Sequence, residues 1–288
     1  MKFPLSKNIA PSQGALQLEE DDLLSDLEGK TGSSLFLGKY TLKTVENVLK
    51  RRHFYKEAQK RGLWPLVLHL CPTETPPLQR FQVYYKSRDP HNLVVDLKIR
   101  LGTYLPKESG VHGLPSRGYR FLMLEWLTLQ NPLNEFSSKR IPLPGQNHPG
   151  LGLGRKVLDM FIYLARVTRS DGILAYPAFF HNAFLFSRKL RFFNPEKRGE
   201  VLAVFQSCEG VSLKDISWIV HLGCLEEEGR GKFEWKSEEQ IFPLNRTLKK
   251  WLSSTEYREC VKKVQQERKF FINWDCFEQK RPEMKDSS

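Results

Sequence analysis

The alternation of apolar and polar residues divides the chain into segments of two periods. Val157, Phe161, Leu164 and Ala165 recur at helical spacing, with Leu158 and Ile162 beside them. That spacing predicts a helix over 152–169 with one buried face. Leu42, Val45, Val48, Leu49 and Phe54 repeat the pattern upstream and predict a helix over 41–61. Thr41 can cap its first turn and Gly62 can end its last. Period-two alternation marks strands. Phe81, Val83 and Tyr85 share one side of 80–86, and 93–101 and Tyr119 to Leu129 alternate similarly. These three segments predict an antiparallel run within a mixed sheet, and the apolar run from Trp64 to Leu70 reads as a further strand. Asp171 to Pro177 reads as a turn and a buried strand, and His181 to Phe192 as a short helix ending in an aromatic strand. Val201 to Phe205 is expected to close the sheet. Beyond it, Ser212 to Leu222, Asn245 to Leu252 and Thr255 to Phe271 predict helices, with Trp274 and Phe277 pinning the end. Residues 15–28 interleave Leu16, Leu18, Leu23, Leu24 and Leu27 with acids, a short amphipathic segment behind a loose tail.

The pattern therefore predicts an α/β fold: a mixed, mostly antiparallel sheet flanked by helices, with a helical C-terminal extension. It divides the chain into a tail and short amphipathic segment (1–34), a main domain (35–206) and the extension (207–288).

The stretch that invites chemistry is Gly150, Leu151, Gly152, Leu153, Gly154, Arg155 and Lys156, where three glycines alternate and run straight into a helix. A helix start bares unpaired N–H groups, and its dipole adds partial positive charge, so the turn is suited to phosphate. Glycine keeps side chains out of an anion's way. A plain tight turn before a core helix explains the same residues equally well. The connection before it, 131–148, is long and basic at Lys139 and Arg140. It brings those residues, Gln146 and His148 toward the turn. The helix over 41–61 carries Lys43, Lys50, Arg51, Arg52, Lys56, Lys60 and Arg61 against Glu46 and Glu57. Such a face is either solvated or receives a phosphate or an acidic partner.

The order strand, glycine turn, helix, strand, Asn182-Ala183 helix, aromatic strand resembles the GNAT superfamily of N-acetyltransferases, as a divergent bacterial-type member. The match covers about residues 80–205. It rests on the acyl-CoA loop (Arg/Gln-x-x-Gly-x-Gly/Ala) and on the later Asn-Ala…Lys-Leu-Gly-Phe segment. Pro149 stands where the family has Arg or Gln, Arg191 replaces the glycine of Lys-Leu-Gly-Phe, and Ser187 falls where many members carry a proton-donating tyrosine. The resemblance implies direct transfer of an acyl group from acetyl-CoA or another acyl-CoA to an amine acceptor. The donor pyrophosphate would sit on the backbone of 150–156, and Asn182 would lie near the pantetheine arm. An acyl-carrier protein could present the same arm. Glu125, on the strand before the turn, is then a proton acceptor, although a carboxylate there also commonly pairs with a neighbouring Arg or Lys. Tyr176 and Ser187 are the hydroxyls available as acids, and His148 and His181 are further base candidates.

Composition narrows the picture modestly. The chain has 288 residues, 40% hydrophobic and 12% aromatic, enough for a packed core. Its net charge of +12 favours an anionic partner such as a nucleotide-like cofactor or an acidic protein. Nucleic acid is not favoured, because aromatic residues interleave poorly with the basic ones. Five cysteines without Cys-x-x-Cys spacing argue against a disulfide framework or a zinc cluster, and seven histidines form no ligand pair. No apolar run reaches the ~18 residues of a membrane span. A reduced, cytoplasmic protein is the expectation. Two rival readings stand: a GNAT-like binding module without turnover, and a basic nucleic-acid-binding protein supported by charge alone.

Overall fold

A computed structural model describes residues 35–71, 77–106, 113–115, 117–137 and 141–281. The N-terminal tail, the leucine-rich segment 15–28, Lys139, Arg140 and residues 282–288 lie outside them. The architecture is α/β, with a seven-stranded, mostly antiparallel sheet flanked by helices.

The first helices are α1 (Leu42–Arg51) and α2 (Phe54–Gln59). Thr41 caps α1 as expected, its hydroxyl accepting the Thr44 N–H. The single helix expected over 41–61 breaks at His53, which adopts φ 61°. This re-aims Phe54, Tyr55 and Ala58 into the core, where all three are buried. The strands β2 (Gln79–Tyr85), β3 (Leu93–Tyr104) and β4 (Tyr119–Leu129) form the expected antiparallel run, and β1 (Leu66–Cys71) extends it by pairing antiparallel with β2. A long connection then leads to α3 (Gly154–Val167) and β5 (Gly172–Ala175). β5 lies parallel to β4, the one parallel pairing in the sheet among the described residues. Parallel neighbours cannot be joined by a hairpin, so the glycine turn and α3 serve as the crossover.

The far side of the sheet departs from expectation. After α4 (Phe180–Phe186) and β6 (Arg191–Phe192), residues 201–205 lie inside α5 (Pro195–Ser207), not in a strand. Asn194 caps α5 by accepting the Glu196 N–H, and Pro195 opens its first turn. This pairing of a capping residue with a pre-set φ starts a helix and outweighs the apolar run with Val201 and Val204 that follows. The sheet is instead closed by β9 (Gln240–Pro243), inserted antiparallel between β5 and β6. Residues 207–281 therefore supply a strand of the main sheet. They also carry α6 (Leu213–His221), α7 (Arg246–Leu252), α8 (Thr255–Glu267) and α9 (Trp274–Lys280). A second sheet of β7 (Leu225–Glu227), β8 (Gly231–Lys232) and β10 (Phe270–Ile272) packs among them. The helix expected to reach Phe271 thus ends at Glu267. Cys224 and Cys276 form a disulfide, against the expectation of a reduced protein; Cys71, Cys208 and Cys260 are free.

Apolar residues fill both faces of the main sheet. Leu97, Ile99, Leu122 and Leu124 meet Val157, Phe161 and Ala165 of α3 on one face. Phe121, Met123 and Leu174 meet Leu248, Tyr257 and Val261 of α7 and α8 on the other. Gly172 sits where β4, β5 and β9 run side by side, and an added Cβ would lie 2.4 Å from the Phe242 carbonyl oxygen. Gly172→Ala should therefore destabilise the protein by about 1–3 kcal/mol, the usual cost of overpacking. Thermal unfolding checks this; an unchanged Tm would contradict the close three-strand packing.

Candidate functional site

The site is built where β4 and β5 part. Their pairing runs from Phe121 with Gly172 to Leu124 with Ala175 and then stops, although β4 continues to Leu129. Opposite β3, Lys98 pairs with Trp126 and Ile99 with Leu124. Glu125 is thus the extra residue of a β-bulge, which bends a strand and re-aims its side chains. Beyond the gap, the Leu151 N–H donates to the Leu129 carbonyl, so the glycine turn is tied to the end of β4. Backbone groups alternate sides along a strand, so the Leu127 N–H and C=O face the same open side as the Leu129 carbonyl.

The turn itself alternates. Leu151 and Leu153 are buried in the core, while Gly152, Gly154, Arg155 and Lys156 are exposed. The leucines fix the turn, and the glycines present backbone outward. Gly152 has φ +73°, so a glycine is required there for conformation as well as for access. Gly154 opens α3, and an added Cβ there would meet nothing within 4 Å. No side chain caps the helix start. The N–H groups of Gly154, Arg155 and Lys156 therefore have no intrahelical acceptor and no side-chain cap at the positive end of a 14-residue helix. The Leu151 N–H, engaged by Leu129, is not among the open donors, and Gly150 is held in a bridge with Gln130.

Two neighbours of the turn come from α2 and the turn after it. The Arg61 Nε donates to the Leu151 carbonyl at 2.9 Å, and its Nη1 to Glu57 Oε2 at 2.9 Å. Lys156 Nζ meets Glu57 Oε1 at 2.9 Å. Lys156, then Arg61 and Lys60, pull the Glu57 carboxyl down to about 2. In the sequence Arg61 was only one member of a basic helix face. The structure seats this guanidinium beside the glycine turn.

On the sheet face opposite α3 a second cluster forms. Arg100 Nε donates to Glu125 Oε1 at 2.7 Å, which leaves the other carboxylate oxygen outside that bond. Tyr176 directly follows the last residue of β5, and Glu239 directly precedes the first of β9. Because Ala175 pairs with Gln240, the ladder sets these two side by side. The Tyr176 hydroxyl donates to Glu239 Oε1 at 3.3 Å. Burial, then the charges of Glu239 and Glu125, push the phenol up to about 12, against the opposing pull of Arg100. Four groups from β3, β4, β5 and the start of β9 thus feel one another at the gap. Glu238 adjoins them, its carboxyl raised by burial and bonded by Asn194 Nδ2. The adjacent acids 238 and 239 preceding an apolar run were visible in the sequence, but nothing there said that this run enters the sheet.

The remaining expected residues stay apart. The Ser187 hydroxyl donates to the Phe184 carbonyl at the end of α4, in a crevice with Arg191 and Arg198. His148 is half-buried in the loop before Gly150 and shares no bond with the cluster among the described residues. Gln146 is used within its own turn, where its side chain accepts the Leu143 N–H. Asn182 is half-buried on α4, and no side-chain bond joins it to the cluster among the described residues. His181 is buried and stacked on Phe179, and burial, then His221, lower its imidazole to about 4. It is a neutral core residue, not an exposed base. No group of His, Cys, Asp and Glu suited to a metal occurs among the described residues.

The arrangement offers an open set of helix N–H donors at one end of a gap and a carboxylate with a protonated phenol at the other. Compared with protein-family models and with curated proteins, the chain matches none.

The folded Glu57 carboxyl lies near 2, below its ordinary 4.5. Its pairing therefore stabilises the fold fully above 4.5, and the contribution is lost as pH falls through about 2. The stability difference between wild type and Glu57→Gln should be flat at neutral pH and vanish toward pH 2. Denaturant melts across pH check this; a difference independent of pH would contradict the ion-pair cluster at the turn.

Proposed function

We propose that the protein is an acyl-CoA-dependent N-acyltransferase of the GNAT type, which moves an acyl group directly from a thioester to an amine. One observation carries this reading: the uncapped start of α3 opens beside a gap between parallel strands, and Glu125 and Tyr176 stand at that gap. The residues fit the donor. Helix N–H groups suit a pyrophosphate, and the unpaired Leu127 edge of β4 suits the amides of a pantetheine arm.

The donor supplies a thioester, and the chain's own groups would do the rest. The Leu127 N–H, fixed on the open edge, polarises a carbonyl oxygen laid against it. Glu125, oriented by Arg100, takes the proton of the attacking amine directly or through water. As the carbon–nitrogen bond forms, the carbon–sulfur bond breaks and the thiolate departs. With its phenol near 12 and a leaving thiol near ~8.5, Tyr176 turns its one O–H from Glu239 to the departing thiolate and hydrogen-bonds it without giving up the proton outright. The attacking amine is neutral, and Glu239 with Glu238 offers negative charge to a cationic group elsewhere on the acceptor. The donor is acetyl-CoA or another acyl-CoA, and an acyl-carrier protein would use the same gap with less reliance on the turn.

No helix among the described residues is long and apolar enough to cross a membrane. The Cys224–Cys276 disulfide opposes the cytoplasmic location expected from the sequence, since such bonds persist mainly in oxidising compartments.

Gly154→Val should weaken CoA binding at least tenfold, about 1.4 kcal/mol, because the added side chain stands over the open N–H groups. It is a cleaner test than Gly152→Val, which also strains a positive φ. Tyr176→Phe should keep CoA affinity and lower kcat. Calorimetry with CoA and amine-acceptor turnover check both. Unchanged affinity in Gly154→Val, or none in the wild type, would defeat the assignment.

A further inference from the structure

The face of the sheet that carries α3 holds a cavity of about 120 Å³. Val45 and Leu49 of α1, Leu127 and Leu129 of β4, and Val157 and Met160 of α3 line it, and almost no polar surface faces it. Its roof is unusual. The apolar stripe of α1 is pronounced, yet none of the helix's residues is buried, whereas α3 buries five. An amphipathic helix normally sinks its stripe into the core. Here Leu42, Val45, Val48 and Leu49 remain half-buried, since the stripe overlooks a cavity that no described residue fills. An unfilled apolar cavity destabilises a fold in proportion to its volume. Water finds almost no polar partners on these walls, and cavities so lined accept hydrocarbon ligands instead.

The position of the cavity says which hydrocarbon. Leu127 and Leu129 belong to the stretch of β4 that has lost β5, so the same residues border both the gap and the cavity. Val157 lies one residue past the open N–H groups of α3. A chain leaving a thioester carbonyl at Leu127 toward this face enters the cavity directly. The opposite face, with Glu125, Tyr176 and Glu239, stays open for the amine.

We infer that this cavity receives the acyl chain of the donor and that the preferred donor is a medium-chain acyl-CoA, not acetyl-CoA. The inference rests on the acyltransferase reading and adds the substrate class. An apolar cavity of ~150 Å³ holds benzene, six carbons, so the present one takes an acyl group of about six carbons. Each buried methylene adds about fourfold in affinity.

Calorimetry of the full chain with CoA and with acetyl-, butanoyl-, hexanoyl- and dodecanoyl-CoA tests it. Affinity should rise at least tenfold from acetyl to hexanoyl and then level off. Val45→Phe, which fills the cavity from the roof, should remove that rise, keep CoA affinity and hold or raise Tm. Leu49→Phe serves as a second filling variant should Val45→Phe fold poorly. CoA binding with equal affinity for all chain lengths overturns this inference and leaves the acyltransferase reading standing. A rise that persists in both folded filling variants overturns it as well, because the chain then binds elsewhere. Absence of CoA binding overturns both.

Discussion

The early end of the β4–β5 pairing is the constraint on which the rest depends. Two parallel strands side by side demand a crossover, and here the crossover is a glycine turn and one helix. The strands stay paired for four residues and then separate at the bulge that carries Glu125. That separation bares one edge of β4 in mid-sheet. The turn, tied to Leu129 and anchored by buried Leu151 and Leu153, then sets the start of α3 at the far end of the opening. Bulge, gap and helix start are one device, since moving any of them would close the opening or leave the helix dipole aimed elsewhere.

The two faces of the sheet are chemically unlike at this point. One carries two carboxylates, a phenol and a guanidinium that hold one another in place. The other is apolar and incompletely filled beneath α1. For the proposed transfer this asymmetry separates the partners, with the amine approached by charge on one side and the acyl chain held by exclusion of water on the other. The basic groups around the turn are restrained by Glu57, so Arg61 and Lys156 are positioned before any anion arrives.

Much of the fold was legible because its signals are local. The period-two runs of β2, β3 and β4 and the helical face of α3 emerged at nearly their observed limits, and the glycine turn stood out by spacing alone. What escaped was non-local. Nothing near residues 240–243 announces that this short run inserts between β5 and β6, yet that insertion brings Glu239 to Tyr176. The break at His53 follows from where Phe54 and Ala58 must point, a tertiary demand that overrides the helical pattern. The strand expected over 201–205 was misread for a local reason, because Asn194 and Pro195 mark a helix start that its valines concealed. At the gap, Glu125 on β4 and Tyr176 just past β5 were accessible in the sequence as residue types. Arg61 reaches the turn only through the folded path of α2.

The central claim is that an acyl-CoA lies with its pyrophosphate on the start of α3 and its thioester end in the β4–β5 gap. Backbone amide NMR of the labelled protein during CoA titration tests it most directly. The account predicts that the Gly154, Arg155 and Lys156 amides shift together with that of Leu127, while amides of the β7–β8–β10 sheet stay fixed. Saturating CoA that leaves Gly154 to Lys156 unmoved, or that perturbs the chain only away from the gap, would contradict it.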